Sequence, residues 1–267
     1  MWARMSSITG ESTLRLDGLR VRVRHARPPA PSDAPPVLVL HGWGASIDAV
    51  APIVDGLADQ LEVVAIDLPG FGESAEPPGA WDVGAYARFV LAVCDELGLA
   101  RFSLVGHSFG ARIGIVLAAT RPERLARMVL TGAAGLKPRR KPSYYAKVAV
   151  AKAGRVIGAI GGAPGRRLQD RMRRRVASTD WLEASETMRG TFRAVIAEDL
   201  SPHLPAVKAS TLLVWGDGDA DTPLWMGQRM ESSIPDAGLV VLDGGHYAYA
   251  ERAADFNRIA LHFLSEA

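Results

Sequence analysis

Phe102-Ser103-Leu104-Val105-Gly106-His107-Ser108-Phe109-Gly110-Ala111-Arg112-Ile113-Gly114-Ile115 is the stretch on which the fold turns. Phe102 to Val105 reads as a strand, and Phe109 to Thr120 reads as a helix that ends near Pro122. Between them stands Gly106-His107-Ser108-Phe109-Gly110, a G-x-S-x-G pentapeptide. In a strand-to-helix context this is a sharp elbow that lifts its serine to the carboxyl edge of a sheet. The turn is too tight for side chains at the flanking positions, hence the glycines. The helix that follows points its N-terminus at the serine and favours negative charge there.

Reading outward, the same rhythm repeats. Val37 to Leu40 is a continuous apolar run, of the kind that suits a strand covered on both faces. Ile47 to Gln60 has helical spacing, Glu62 to Ile66 reads as a strand, and Asp82 to Leu99 as a helix. Downstream come strands at Met128–Thr131, Thr211–Trp215 and Leu239–Leu242, and helices at Leu224–Ser233 and Ala253–Leu264. Before all of these, Ser12–Leu16 and Leu19–Val23 alternate polar and apolar residues around Asp17-Gly18, a hairpin at the edge. Proline-rich 27–36 is a surface loop. The expectation is an α/β fold: a mostly parallel sheet of eight strands with helices on both faces.

One segment breaks the alternation. No convincing strand lies between Gly135 and Val207, while helical patterns cover Ser143–Ile160 and Leu182–Glu198. An excursion of that length is too long for a loop. It implies an inserted helical subdomain, 136–205, in a core formed by 1–135 and 206–267. The first part of the insertion is basic, from Lys137 and Arg139 to Arg175, with Asp170 the only acid between Leu136 and Arg175.

Composition bounds the rest. The chain has 267 residues, 48% hydrophobic and 22% charged, and a formal net charge of +2. That balance does not suggest a nucleic-acid binder. The single cysteine, Cys94, excludes an intrachain disulfide framework and reads as a buried helix residue. Residues 1–10 hold no signal-peptide core, and no run is long enough to span a membrane, so a cytoplasmic location is expected. The histidines and the cysteine show no metal-ligand spacing, and neither metal nor organic cofactor is expected.

Further residue groups follow strand ends. His41-Gly42-Trp43-Gly44 comes after Val37–Leu40, where a loop can donate a backbone N–H to an oxyanion; Trp43 and Phe109 are the expected donors. A dinucleotide loop is disfavoured, because Ile47 stands where the third glycine would be. Asp67 to Ser74 reads as a Pro-Gly turn at the rim with no catalytic role. Gly216-Asp217-Gly218-Asp219-Ala220-Asp221-Thr222-Pro223 offers three acids, and spacing alone does not choose among them. Asp243-Gly244-Gly245-His246 places a histidine after the last strand, where a general base would face Ser108.

Serine, acid and histidine in that order, each after a strand, resemble the α/β-hydrolase family over Leu19 to Leu264. The resemblance implies Asp219 as the acid, three residues after the glycine of a G-x-x-D block. It implies Ser108 as nucleophile, His246 as base, and a helical cap in the insertion. His41, Gly42 and His107, beside the elbow and the oxyanion loop, are expected to contact substrate. The implied activity is serine hydrolysis of a carboxylic ester of a small to medium apolar molecule. Alternatives on the same triad are amide, thioester or dienoate-type carbon–carbon hydrolysis, or a non-hydrolytic receptor or lyase. The basic insertion suits a solvated face, an acidic substrate or contact with an anionic membrane surface.

Overall fold

The computed structural model describes residues 8–137 and 184–266. Strands β1 (Ile8–Leu16) and β2 (Leu19–Arg27) form the expected hairpin. Asp17 and Gly18 take φ of 49° and 78°. These are left-handed values at both central positions, matching the twist of the paired strands. Both strands run further than their alternating cores, because β2 continues into antiparallel pairing with β4 (Val63–Ile66).

The remaining strands are parallel. They are β3 (Val37–Leu40), β4, β5 (Phe102–His107), β6 (Leu125–Thr131), β7 (Ser210–Gly216) and β8 (Ala237–Leu242). The sheet order is β1-β2-β4-β3-β5-β6-β7-β8. Every residue of β3, β4 and β5 is buried, as two-sided helical cover requires.

The helices are α1 (Ala51–Leu57), α2 (Val83–Glu96), α3 (Phe109–Thr120), α4 (Glu186–Ala197), α5 (Trp225–Glu231), α6 (Ala248–Glu251) and α7 (Ala253–Ser265). One face of the sheet packs Leu38, Leu40 and Leu104 against Tyr86, Val90 and Val93 of α2 and Ile113 and Leu117 of α3. The other packs Val39, Val105 and Val129 against Ile53 and Leu57 of α1 and Phe256, Ala260 and Leu264 of α7. Cys94 lies inside the first of these clusters.

The helix read over Ile47–Gln60 is instead a 3-10 turn, Ile47–Val50, followed by α1. Ser46 caps the turn by accepting from the Asp48 N–H, and Pro52 sits in the first turn of α1. The short helix α6 is an addition to the sequence reading. Of the insertion, the helix over Ser143–Ile160 and most of the basic run fall outside the described residues. Its described end, α4 and the turn Ser201–Ala206, buries Met188, Val195, Leu200 and Leu204 in the same cluster as α2 and α3. Among the described residues no helix is long and apolar enough to cross a membrane.

Candidate active site

The site is built at the carboxyl edge of the parallel strands, where β3, β5, β7 and β8 each end in a loop. Ser108, after β5, has φ 50° and ψ −102°, a conformation that costs a non-glycine residue on the order of 1–3 kcal/mol. The strain is held from several sides. The Ser108 N–H donates to the Thr131 carbonyl at 3.1 Å, and its own carbonyl accepts from Ala134 at 3.3 Å. Both elbow glycines are close-approach positions. A Cβ on Gly106 would come within 2.8 Å of the Ala111 nitrogen, and one on Gly110 would overlap the Leu40 carbonyl.

The loop after β3 is anchored through His41. Its Nε2 accepts from the Leu68 N–H at 2.9 Å, so the proton sits on Nδ1, which donates to the Gly42 carbonyl at 2.7 Å. Burial pushes its pKa below the ordinary histidine value and keeps the ring neutral. His41, expected to touch substrate, therefore has both ring nitrogens engaged within the protein and serves to hold the loop. The Gly110 N–H donates to the His41 carbonyl at 3.1 Å, which ties this loop to the elbow. Among the described residues, the N–H groups of Trp43 and Phe109 have no hydrogen-bond partner. Their rings meet edge to face at 5.3 Å, and Trp43 also meets Phe71 at 4.9 Å and Phe192 of α4 at 5.0 Å. The result is an apolar wall beside Ser108.

Asp67 has a structural role, as the sequence implied. Its carboxylate accepts from the Ile47 and Glu73 N–H groups, and its carbonyl accepts from the Ser74 hydroxyl.

Only one of the three acids after β7 reaches the histidine after β8. Asp219 Oδ2 lies 2.9 Å from His246 Nδ1, with the Asp219 side chain fully buried and that of His246 12% exposed. Asp217 instead accepts from the Gly244 N–H at 3.2 Å, and Asp221 offers Asp219 its backbone N–H at 2.9 Å. The carboxylate of Asp219 is fully committed. Oδ1 accepts from the Asp221 and Thr222 N–H groups, both at 2.9 Å, and Oδ2 also accepts from the Thr222 hydroxyl at 2.8 Å. Burial opposes its ionisation, but the hydrogen bonds from His246 and Thr222 outweigh that and hold its pKa below the usual carboxylate value.

Thr222 is a site residue the sequence reading passed over. Its hydroxyl touches the acid, and its carbonyl accepts from the Trp215 indole at 2.6 Å. The available signal was an aspartate three residues before a threonine, a pattern that closes a turn on itself.

His107, also expected at the substrate, is likewise buried. Its Nε2 lies 3.0 Å from the His246 carbonyl and donates to it. Gly42 is different: a Cβ there would stand 3.4 Å from the Ser108 Cβ, so this position borders Ser108 directly. The ring of His246 faces Gly132, next in the chain to Thr131, whose carbonyl holds Ser108. Asp219 and His246 are thus bonded to each other, and the segment Thr131-Gly132 lies against both the Ser108 backbone and the His246 ring. Such an arrangement suits proton transfer from a hydroxyl to an imidazole oriented by an anion.

Comparison with known proteins agrees with the fold. The family model of the alpha/beta hydrolase fold matches residues 35–253. A dihydrolipoyllysine-residue acetyltransferase component of the acetoin cleaving system of Cupriavidus necator is 30% identical over 251 residues. That alignment covers 90% of this chain but 65% of the relative, so the chain spans under two thirds of that protein's length. A 2-hydroxy-6-oxo-6-phenylhexa-2,4-dienoate hydrolase of Comamonas testosteroni is 29% identical over 258 residues, covering 86% of this chain and 87% of the relative. Among solved structures, the enol-lactonase of Burkholderia xenovorans superposes with a TM-score of 0.73 at 25% identity, covering 96% of this chain and 100% of that one.

Proposed function

The chain belongs to the α/β-hydrolase fold family, and from that premise we propose that it is a serine hydrolase that cleaves a carboxylic ester of a small to medium apolar molecule. The observation that carries the reading is the Asp219–His246 pair at 2.9 Å, at the same sheet edge as a serine held at positive φ. His246 takes the Ser108 proton as Oγ attacks the ester carbonyl. Asp219 keeps the imidazole proton on Nδ1 and stabilises the cation that forms. The N–H groups of Trp43 and Phe109 receive the oxyanion; losing one such donor typically costs about 10²–10³ in turnover. The C–O bond then breaks, and the alcohol leaves with the proton from His246. Water, deprotonated by His246, attacks the acyl-enzyme, and the acid product departs as Ser108 regains its proton.

The aromatic wall of Trp43, Phe109 and Phe192 supports an apolar substrate, and the similarity to an enol-lactonase supports an ester bond. A second reading, carbon–carbon hydrolysis of a dienoate, is favoured by the relative of that name and uses the same serine. Fluorophosphonate labelling, with p-nitrophenyl esters of increasing chain length and a dienoate ring-cleavage product as substrates, separates the two. Labelling and ester turnover that vanish in Ser108→Ala establish the first reading. Dienoate cleavage with negligible ester turnover selects the second. A folded wild-type protein that is neither labelled nor active refutes both.

A further inference from the structure

His107 is the last residue of β5, and the mechanism above does not use it. It is 2% exposed, and its backbone is fixed in the sheet by pairing with Thr131 of β6. Nε2 donates to the His246 carbonyl at 3.0 Å. On the other edge of the ring, Nδ1 has no partner among the described residues and faces the oxyanion loop: a Cβ on Gly42 would lie 2.8 Å from it. The ring also packs at 4.8 Å from both His246 and Tyr249, and Tyr249 is itself tied to the Ala49 carbonyl at 3.0 Å.

Burying an unpaired ring nitrogen costs stability. An apolar side chain of similar size would fill the space without that cost. What distinguishes the imidazole here is the single bond it makes, to the backbone of the base. That bond matters because His246 stands on Asp243-Gly244-Gly245, a glycine-rich loop with little stiffness of its own. Asp217 and Glu251 accept from the Gly244 and Gly245 N–H groups, the Gly218 N–H donates to the Gly244 carbonyl, and Asp219 holds the His246 ring. The anchor from the nucleophile's side is His107.

We propose that His107 is a positioning residue, a strut that sets the spacing between the loop bearing His246 and the loop bearing Gly42 and Trp43, and that touches neither substrate nor the transferred proton. It stays neutral in this role. Burial, and then the nearness of His246, push its pKa down to about 3, so no second cation forms beside the imidazolium of the working base. The proposal rests on Ser108 and His246 being nucleophile and base.

The test compares His107→Leu, which removes the donor, with His107→Gln, which keeps an N–H. Thermal midpoints, fluorophosphonate labelling rates, kcat and KM on p-nitrophenyl butyrate are measured, with Ser108→Ala in parallel. A displacement of reacting groups by about 1 Å can cost about 10²-fold. The leucine variant should therefore lose about 10- to 100-fold in both kcat and labelling rate, with KM changed less than about twofold, and glutamine should recover most of the loss. His107→Met replaces the leucine variant if that one does not fold. A raised KM at unchanged kcat would make His107 a substrate contact and overturn the proposal. So would full activity without the donor, or a glutamine variant as poor as leucine. Labelling of Ser108→Ala at the wild-type rate would instead sink the nucleophile assignment, an outcome distinct from failure of the strut.

Discussion

Replacing Asp219 by asparagine changes one atom, and the structure dictates which way that amide turns. Oδ1 accepts two backbone N–H groups, from Asp221 and Thr222, each at 2.9 Å. An amide nitrogen there would face two donors, forfeiting two hydrogen bonds at about 1 kcal/mol each and leaving two buried N–H groups unpaired at a further 1–3 kcal/mol or so. The amide oxygen must therefore take the Oδ1 place and the nitrogen the Oδ2 place, 2.9 Å from His246 Nδ1. There it donates, so Nδ1 must accept and the imidazole proton moves to Nε2. A base already protonated on the side facing Ser108 cannot take the serine proton. In a serine-protease triad, where the same replacement produces the wrong tautomer, the loss is about 10⁴ in kcat. Asp219→Asn should lose on that order in ester turnover while its thermal midpoint and fold remain close to wild type. The assay is kcat on p-nitrophenyl butyrate together with the rate of fluorophosphonate labelling, with Asp217→Asn as control. An asparagine variant retaining more than about a tenth of kcat, or an equal loss at Asp217, would refute the reasoning. The pH dependence has a definite sign. Because the folded carboxyl sits below its ordinary value of 3.8, ionised Asp219 stabilises the fold fully above that value, and this contribution is lost as pH falls through the lower folded value. The asparagine variant should lack that part of the acid transition.

Other consequences of the geometry are open to measurement. Gly110→Ala places a methyl on the Leu40 carbonyl, in buried backbone that cannot yield, and should destabilise by several kcal/mol, seen as a thermal midpoint lowered by roughly 10 °C or a loss of soluble protein; an unchanged midpoint would show that the elbow has slack. Arg112, 8% exposed on α3, donates from Nη1 to the carbonyls of Val195 at 2.9 Å and Glu198 at 3.3 Å, where α4 ends. Arg112→Met should loosen α4 selectively, giving faster amide exchange over Glu186–Ala197 than over α2, whereas uniform exchange in both helices would place its effect elsewhere. The Cys94 thiol, buried and pushed up to about 12, should not react with a disulfide reagent until the protein is denatured; rapid modification in buffer would contradict its burial.

Much of this architecture was legible in the chain because it rests on short-range patterns. Apolar runs bounded by loops marked the parallel strands, and the bounds of α3, Phe109–Thr120, coincide with the helical pattern after the elbow. Ser108 was identifiable because the geometry that presents it is local: a serine between two glycines that have no room for a Cβ. Other features left no local trace. The 3-10 turn at Ile47–Val50 has apolar spacing that also suits an α-helix, and its tighter winding and i to i+3 hydrogen bonds leave no mark in so short a stretch. Arg112 on an apolar helix gives no hint that its guanidinium serves carbonyls 83 and 86 residues away. Nor does the sequence show that His41 bonds the Leu68 N–H and the Gly42 carbonyl through its ring, or that His107 Nε2 reaches the His246 carbonyl 139 residues away.

The sequence by itself determined the order of strands and helices, the elbow, and the set of residues that arrive at the carboxyl edge. These follow from side-chain periodicity and from backbone conformations that few residues tolerate. Only the tertiary structure decided which members of that set meet. Asp217, Asp219 and Asp221 are chemically alike and lie within one turn, so no local property separates them. The pairing of β7 with β8 brings a histidine 27 residues away to a single carboxylate, and the turn that closes on Thr222 fills the rest of that carboxylate's hydrogen-bonding capacity. Contacts of that kind are set by how the loops at neighbouring strand ends pack, a long-range condition that residue patterning does not encode.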